Sequence, residues 1–138
     1  CPLRFYENFI EELGAECNIR EIAFDRWGAI QMTQNLDAMG FTVVPFGQGF
    51  KDMGPPTKEL MKLTLEEKLA HGGHPVLRRM MDNLFVRTDP AGNIKSDKEK
   101  SSEKIDGAYA TIMAPDRALR NGDVNTGSVY DERGILVF

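Results

Sequence analysis

The sequence has only two cysteines, Cys1 and Cys17, and its apolar runs all fall short of the roughly 20 residues needed to span a bilayer. Two cysteines so placed do not form the framework of a disulfide-stabilised domain. The N-terminal segment is acidic, where a secretory signal would be basic. There is also no Gly-rich loop ending in Lys-Ser or Lys-Thr, the phosphate-binding motif of many ATPases. These absences predict a cytoplasmic protein that does not hydrolyse ATP through such a loop.

An excess of positive charge is missing as well, since the net charge is −4. DNA affinity depends on Lys and Arg displacing counterions from phosphates, so the total argues against a nucleic-acid partner. The distribution is less one-sided: residues 1–54 hold eight acids and four basic residues, whereas 78–104 hold seven basic residues and five acids. A mildly positive stretch of this kind is also typical of a plain solvated surface. Both interpretations stay open.

The first third of the chain alternates helical and strand patterns. Apolar residues at helical spacing predict a first helix that ends at Gly14. A strand over 19–25, a helix over 29–39 closed by a glycine, and a strand over 41–46 follow. The order helix, strand, helix, strand indicates a parallel strand pair in an α/β fold.

The rest of the chain has shorter elements. The segment 47–56 is rich in glycine and proline and predicts a loop, with Thr57 capping the next helix. That helix is expected to reach His71, and a helix from Pro75 to Asn83 and a strand from Leu84 to Thr88 follow. A turn over 89–93 and a polar segment over 94–104 come next. The last elements would be a helix from Ile105 towards Leu119, which Pro115 kinks or ends, and a tail or linker over 121–138. The domain proper would be 1–120.

Asp25 is the first candidate for chemistry. It stands at the end of a strand that we expect to be parallel to its neighbour, and the carboxyl ends of such strands are where open α/β sheets place their sites. The alternative is structural, because an Asp just before a helix is a common N-cap. The neighbouring Trp27 is expected to pack in the core rather than to stack on a base.

Asp106 is the second candidate, in the first turn of the last helix, where the helix dipole favours a negative group. Acids are also ordinary at that place. Asp25 and Asp106 are 81 positions apart (106 − 25), so any site that they shared would have to be assembled by the fold. Two carboxylates with at least one more could hold two divalent ions for phosphodiester cleavage, and oxygen ligands favour magnesium or manganese over zinc.

Four ordered motifs make the chain similar to the nuclease domain of bacteriophage terminase large subunits. The first two are 22–29, Ile-Ala-Phe-Asp-Arg-Trp-Gly-Ala, and 72–78, Gly-Gly-His-Pro-Val-Leu-Arg, with Asp-Asn at 82–83. The other two are 89–95, Asp-Pro-Ala-Gly-Asn-Ile-Lys, and 98–107, which ends in Lys-Ile-Asp-Gly. The likeness extends over about residues 3–120, and its order and spacing are more specific than any single motif.

The resemblance implies a ribonuclease H-like fold, in which a mixed sheet flanked by helices gathers acidic residues around two Mg²⁺ or Mn²⁺ ions. Asp25 and Asp106 match two of the family's catalytic, metal-binding acids. A further essential Asp of the family lies on a strand upstream of the first helix seen here, and we expect this chain to be a fragment without that strand. The same resemblance makes five basic residues candidates for DNA contacts: Arg78, Lys95, Lys98, Lys100 and Lys104.

By this resemblance the complete protein would be an endonuclease that cuts concatemeric double-stranded viral DNA. It would act in the host bacterial cytoplasm, at the portal of a procapsid, together with an ATP-driven motor, the portal protein and a small terminase subunit. The alternative is an inactive prophage fragment that folds and binds DNA or portal without cleaving. Unpaired strand edges further predict homo-oligomers of the fragment.

Overall fold

The computed structural model describes residues 2–97, 99–101, 104–122 and 136–137. These residues form five helices and six strands, in the order α1 (Pro2–Glu16), β1 (Ile22–Asp25), α2 (Ile30–Ala38), β2 (Val43–Phe46), α3 (Phe50–Leu65), β3 (Leu69–Ala70), α4 (Pro75–Asp82), β4 (Val86–Thr88), β5 (Ile94–Ser96), α5 (Asp106–Gly122) and β6 (Leu136–Val137). The predicted α/β class is confirmed. The chain folds as two compact units, with the boundary between Gln48 and Gly49.

The first unit contains the parallel pair that the sequence predicts. β1 and β2 run side by side in a register that opposes Ile22 to Val43 and Asp25 to Phe46. α2 is the connection between them, as a parallel pair requires. The prediction of a strand–helix–strand arrangement is therefore confirmed, although both strands are shorter than their sequence patterns.

α1 does not stop at Gly14 and continues to Glu16, so the predicted helix end is wrong. Gly14 serves a packing purpose instead. A Cβ at this position would lie 2.8 Å from two ring carbons of Phe41, closer than carbon atoms pack. The glycine lets the ring rest against the helix backbone.

A side-chain hydrogen bond joins α1 and α2. Glu7 is only 5% exposed, and its Oε1 accepts a hydrogen bond of 2.7 Å from Nδ2 of Asn35. Leu36, next to Asn35, is buried. The bond satisfies one oxygen of a carboxylate that would otherwise be costly to bury.

The second unit is built around α3, which packs against β5 and α5. Its fully buried residues include Met53 of α3 together with Ala108 and Ile112 of α5. Burial of apolar surface at about 25 cal/mol per Å² makes such contacts the main source of stability. The start of α5, where Asp106 lies, is thus anchored to the core.

The predicted loop over 47–56 is wrong, because α3 begins at Phe50 with Gly49 as its N-cap and includes Pro55 and Pro56. Two prolines remove the amide hydrogens that would bond to carbonyls one turn earlier. Those carbonyls belong to Lys51 and Asp52, which are exposed and can be solvated instead. Thr57 is not a cap; it is buried inside the helix and donates its hydroxyl to the carbonyl of Met53 at 2.6 Å.

α3 ends at Leu65, short of the predicted end at His71, and Leu69–Ala70 forms β3, whereas the other elements agree more closely with the sequence patterns. α4 has its predicted bounds within a residue, and His74 caps it by accepting the amide hydrogen of Val76. β4 pairs in antiparallel fashion with β5, a strand that the polar pattern of 94–104 did not predict. α5 passes through Pro115, whose side chain is fully buried, and ends at Gly122, so this proline does not end it.

Most of the predicted tail, 121–138, lies outside the described residues. Its two described strand residues, Leu136 and Val137, pair in parallel with Leu69 and Ala70. Among the helices that the structure describes, none combines the length and apolar character needed to cross a membrane.

Candidate functional site

Asp25 lies at the carboxyl end of β1, half-buried, in the position that its sequence pattern predicts. Its Oδ1 accepts the amide hydrogen of Trp27 at 3.3 Å, which closes a short turn after the strand. The amide of Arg26 donates to the carbonyl of Phe46 and continues the parallel pairing by one residue. These bonds fix the backbone on both sides of the carboxylate.

The alternative role of Asp25 as a helix cap does not hold. The N-cap of α2 is Ala29, and no side chain caps that helix. Asp25 therefore stabilises a turn through one oxygen, and its charge is not engaged by a helix end. Trp27 is 82% exposed, so its predicted packing in the core is wrong.

Asp106 is the first residue of α5, as expected, and it is exposed. The preceding Ile105 and the nearby Ala108 are buried, at 4% and 0% exposure, so the backbone around the carboxylate is held against the core. Among the described residues no hydrogen bond or ion pair engages the Asp106 side chain. The carboxylate lies in the first turn of α5, at the positive end of the helix dipole.

α4 supports this first turn of α5 from the side. Met80 of α4 approaches Gly107 so closely that its Sδ accepts the Gly107 amide hydrogen, with 3.3 Å between nitrogen and sulfur. A Cβ on residue 107 would lie 2.6 Å from that sulfur. Glycine after Asp106 thus lets the Met80 sulfur reach the backbone of α5, and a larger residue would displace it.

Two of the predicted DNA-contacting lysines are oriented by aromatic rings. Nζ of Lys95 lies 4.8 Å from the ring centroid of Phe50, and Nζ of Lys100 lies 5.1 Å from that of Phe85. Cation–π contacts of this kind stabilise by about 0.5–1 kcal/mol at exposed sites and restrict the lysine side chain. Both ammonium groups can still meet a phosphate.

The other predicted basic residues have fewer constraints. Arg78 on α4 is exposed, and Lys104 is exposed two residues before Asp106. Lys98 lies outside the described residues. Within the second unit, α4 and α5 pack together, so Arg78 and Asp106 belong to adjoining helices.

The sequence patterns missed a set of basic residues on α3. Lys51, Lys58 and Lys62 follow the spacing of seven and four residues that places side chains on one helix face. Two of them border a shallow depression of about 470 Å³ lined by Lys58, Met61, Lys62, Leu65, Glu66 and Ile94. The sequence pattern did not reveal this periodicity, because it predicts a loop over 47–56, which includes Lys51, and a helix only after Thr57.

Asp97 is a second feature without a sequence signal. It is 5% exposed, its Oδ1 accepts the amide of Glu99 at 3.0 Å, and its Oδ2 lies 3.8 Å from the guanidinium of Arg87. These bonds order the chain just after β5. Nearby, the Tyr109 hydroxyl donates to the carbonyl of Ser96 and connects β5 to α5.

Asp25 belongs to the first unit, whereas Asp106 and the basic candidates belong to the second. In the part of the chain that the structure describes, no three His, Cys, Asp or Glu residues form a group that could hold a metal ion. The oxygen donors of Asp25 and Asp106 are of the type that Mg²⁺ and Mn²⁺ prefer. Each carboxylate could thus supply oxygen ligands to such an ion.

Known proteins are similar to this chain in sequence and in fold. The terminase large subunit of Enterobacteria phage HK97 is 41% identical over 126 residues, which cover 89% of this chain and 25% of the HK97 protein. Protein YmfN of Escherichia coli (strain K12) is 30% identical over 119 residues, or 83% of this chain and 26% of YmfN. The crystal structure of the HK97 bacteriophage large terminase matches with a TM-score of 0.72 at 42% identity, covering 80% of this chain and 24% of that one.

The chain therefore spans about a quarter of the length of these relatives. The family model for the terminase large subunit, endonuclease domain, matches residues 5–122, close to the range over which the sequence motifs indicated the likeness. With a family match over most of its length and a structural match to a phage terminase, this chain belongs to the family of terminase large subunit endonuclease domains.

Proposed function

We propose that the chain supplies the DNA-cutting chemistry of a phage packaging terminase, as a metal-dependent endonuclease that cuts concatemeric double-stranded viral DNA. The observation that carries this proposal is the exposed Asp106 carboxylate, which no described residue engages and which starts α5 in a member of a nuclease family. Asp25, at the end of a parallel strand, adds a second carboxylate in a position typical of α/β active sites.

The metal that fits these donors is Mg²⁺ or Mn²⁺, with Asp25 and Asp106 each contributing carboxylate oxygens. A pair of such ions, when bound, activates a water and stabilises the leaving oxygen in phosphodiester cleavage. The chain's own contribution is to fix the ligands: the Trp27 amide holds one oxygen of Asp25, and the buried Ile105 holds the backbone before Asp106.

DNA binding would rest on the basic side chains of the second unit. Lys95 and Lys100 are oriented by Phe50 and Phe85, so a phosphate contact restricts them less than it would a free lysine. Arg78, Lys98 and Lys104 complete the proposed phosphate contacts. Such contacts read no sequence, in agreement with cutting at many positions along a concatemer.

The wider setting belongs to the whole protein, since the matched HK97 relative is about four times longer than the segment that it shares with this chain. There we propose an ATP-driven motor in the same polypeptide, docked on the portal protein in the host cytoplasm, with a small terminase subunit that selects the DNA. These partners fit the HK97 relative, which is a terminase large subunit.

A second candidate function is binding without cleavage. It is favoured by one observation, that the described residues contain no group of three metal-type ligands. In that case the chain would fold and hold DNA or portal but would bind the ions too weakly to cut. An inactive prophage fragment would behave in this way.

The experiment that tests both candidates is Mn²⁺-dependent cleavage of linear plasmid DNA. The chain is assayed beside a version extended upstream by the preceding nuclease segment, and each carries Asp106→Asn or Asp25→Asn in turn. Asp37→Asn is the matched control, because Asp37 is an exposed acid of α2 to which no role in the site is assigned. We expect cleavage by the extended version that either candidate substitution abolishes and the control preserves. Cleavage that survives both substitutions would contradict the assignment, and no cleavage in any version would favour the binding function.

A further inference from the structure

Among the described residues, no Ser, Thr, Asp or Asn side chain caps the first turn of α5. The carbonyl of Ile105 accepts the amide of Tyr109 at 3.0 Å, which makes Ile105 the residue that flanks the helix start. Helix starts leave several amide hydrogens without intrahelical acceptors, and Ser, Thr, Asp or Asn usually supplies an oxygen for one of them. Isoleucine has none to offer.

Met80 fills this role from another helix. Its Sδ accepts the amide hydrogen of Gly107, the second residue of α5, over 3.3 Å. Glycine at position 107 leaves room for this approach, since an added Cβ would lie 2.6 Å from the sulfur and the Met80 side chain would have to shift. A thioether is a weak acceptor, but here it serves a donor that has no other partner in its own helix.

An Asp in a helix's first turn commonly turns its carboxylate back to the free amides of that turn. Asp106 does not, since among the described residues its side chain has neither a hydrogen bond nor an ion pair. Because the sulfur of Met80 already accepts the Gly107 amide hydrogen, that amide does not draw in the Asp106 carboxylate. The carboxylate therefore stays available to bind a ligand.

We propose that Met80 is a positioning residue for Asp106, an inference that rests on the proposed role of Asp106 as a metal ligand. The thioether caps α5, keeps its first turn from fraying, and so holds the Asp106 carboxylate in one place and free to bind a divalent cation. Without the cap the turn opens more often, and a cation must restore its order on binding. Loss of the sulfur therefore weakens cation binding while the body of α5 stays intact.

The test is Met80→Leu in the ¹⁵N-labelled chain, with two readouts. Leucine keeps the apolar volume, a swap that cores tolerate well, and removes the acceptor. We expect hydrogen exchange of the Gly107 amide to speed up by roughly threefold, and the Mn²⁺ concentration that half-broadens the amide signals of residues 106–108 to rise by a similar factor. The amides of Ile112 and Met113 should exchange as before. Gly107→Ala, which displaces the sulfur without altering it, should reproduce both changes.

Met61→Leu is the matched control, because Met61 is a half-exposed methionine of α3 that borders the shallow depression beside Lys58. If the Gly107 amide exchanges at the same rate in Met80→Leu, the sulfur does not cap α5. If that amide exchanges faster but the Mn²⁺ dependence of the broadening is unchanged, Met80 has only a structural role and does not position Asp106. Asp106→Asn separates this from the proposed function. If Mn²⁺ still broadens residues 106–108 in that variant, Asp106 is not the ligand, whereas exchange at Gly107 still reports on the cap.

Discussion

Asp25 combines two tasks that a single substitution can separate. Asp25→Asn keeps an oxygen that can accept the Trp27 amide and removes the charge. We expect the free energy of unfolding to change by less than about 0.5 kcal/mol, because asparagine has nearly the same shape and keeps the hydrogen bond. DNA cleavage by the extended version should fall by about a hundredfold or more, because metal ligation contributes several kcal/mol to such reactions. Urea unfolding and cleavage rates measure the two, and a parallel loss of both would contradict the separation.

Gly14 offers a test of close packing in the first unit. In Gly14→Ala the new methyl group would meet the Phe41 ring at 2.8 Å, so the ring or the helix has to shift. We expect a destabilisation of about 1–3 kcal/mol, the usual cost of overpacking, even though alanine favours helix. Gly28→Ala is the control, since a Cβ there meets nothing within 4 Å. Denaturant melts that show no difference between the two variants would contradict the contact.

The sequence was informative about the candidate acids and less so about their surroundings. Asp25 and Asp106 could be placed at a strand end and a helix start, because periodicity and glycine positions reveal such boundaries locally. The cation–π contacts of Lys95 with Phe50 and of Lys100 with Phe85 could not be predicted. These rings are distant in sequence from the lysines or follow no periodic pattern with them. The cap on Gly107 escaped for the same reason, because Met80 is 27 positions away.

The stability of the turn after β5 should depend more on the hydrogen bond that Asp97 accepts than on its ion pair with Arg87. Asp97 has a side chain only 6% exposed and accepts the Glu99 amide, whereas Arg87 is 55% exposed and its guanidinium lies 3.8 Å away. We expect Asp97→Ala to cost about 1–3 kcal/mol, because a buried acceptor is removed from its donor. Arg87→Ala should cost less than about 1 kcal/mol, as exposed ion pairs do. Thermal or urea unfolding of both variants checks this, and equal losses would show that the ion pair matters instead.

The hairpin of β4 and β5 carries a pH-dependent contact in its turn. Asp89 accepts both the amide and the side-chain Nδ2 of Asn93, at 2.8 and 2.9 Å. The side-chain bond from Asn93 is the main cause that holds the pKa of Asp89 below its ordinary value. A lowered pKa means that the contact stabilises the hairpin above the ordinary pH range of an aspartate and is lost as pH falls through the lowered value. Asn93→Ala should bring the Asp89 pKa back up towards normal, as a carboxyl NMR titration would show; an unchanged titration would contradict this cause.

Among the elements, α4 was predicted almost to the residue, whereas the predicted cap of α3, Thr57, lies eight residues after the observed one, Gly49. Pro75 and His74 occupy the first turn and cap of α4, where proline is compatible with a helix. Pro55 and Pro56 are interior to α3, where local rules exclude them. The helix continues there because Met53 and Pro56 are buried, and tertiary packing of this kind is not visible in a single sequence.

The chain as a whole exposes an apolar surface on α1. Phe5, Tyr6 and Phe9 are 72%, 54% and 53% exposed, and the first sheet has only two strands among the described residues. We expect the isolated chain to self-associate at micromolar concentration through such surfaces. Light scattering after gel filtration measures this, with Phe5→Lys and Phe9→Lys together expected to shift the chain towards monomer. A monodisperse monomer before substitution would contradict the expectation.

The pairing of β3 with β6 has a kinetic consequence. It pairs Ala70 with Val137, so the chain must bring Leu136 back to a strand that ends 66 positions earlier (136 − 70) to gain a two-residue ladder. The entropy cost of closing a loop grows with its length, and here only a few hydrogen bonds offset it. This contact should therefore form last during folding and open first in the native protein, far below the free energy of global unfolding. The amides of Leu136 and Val137 would be the earliest strand amides to exchange with solvent.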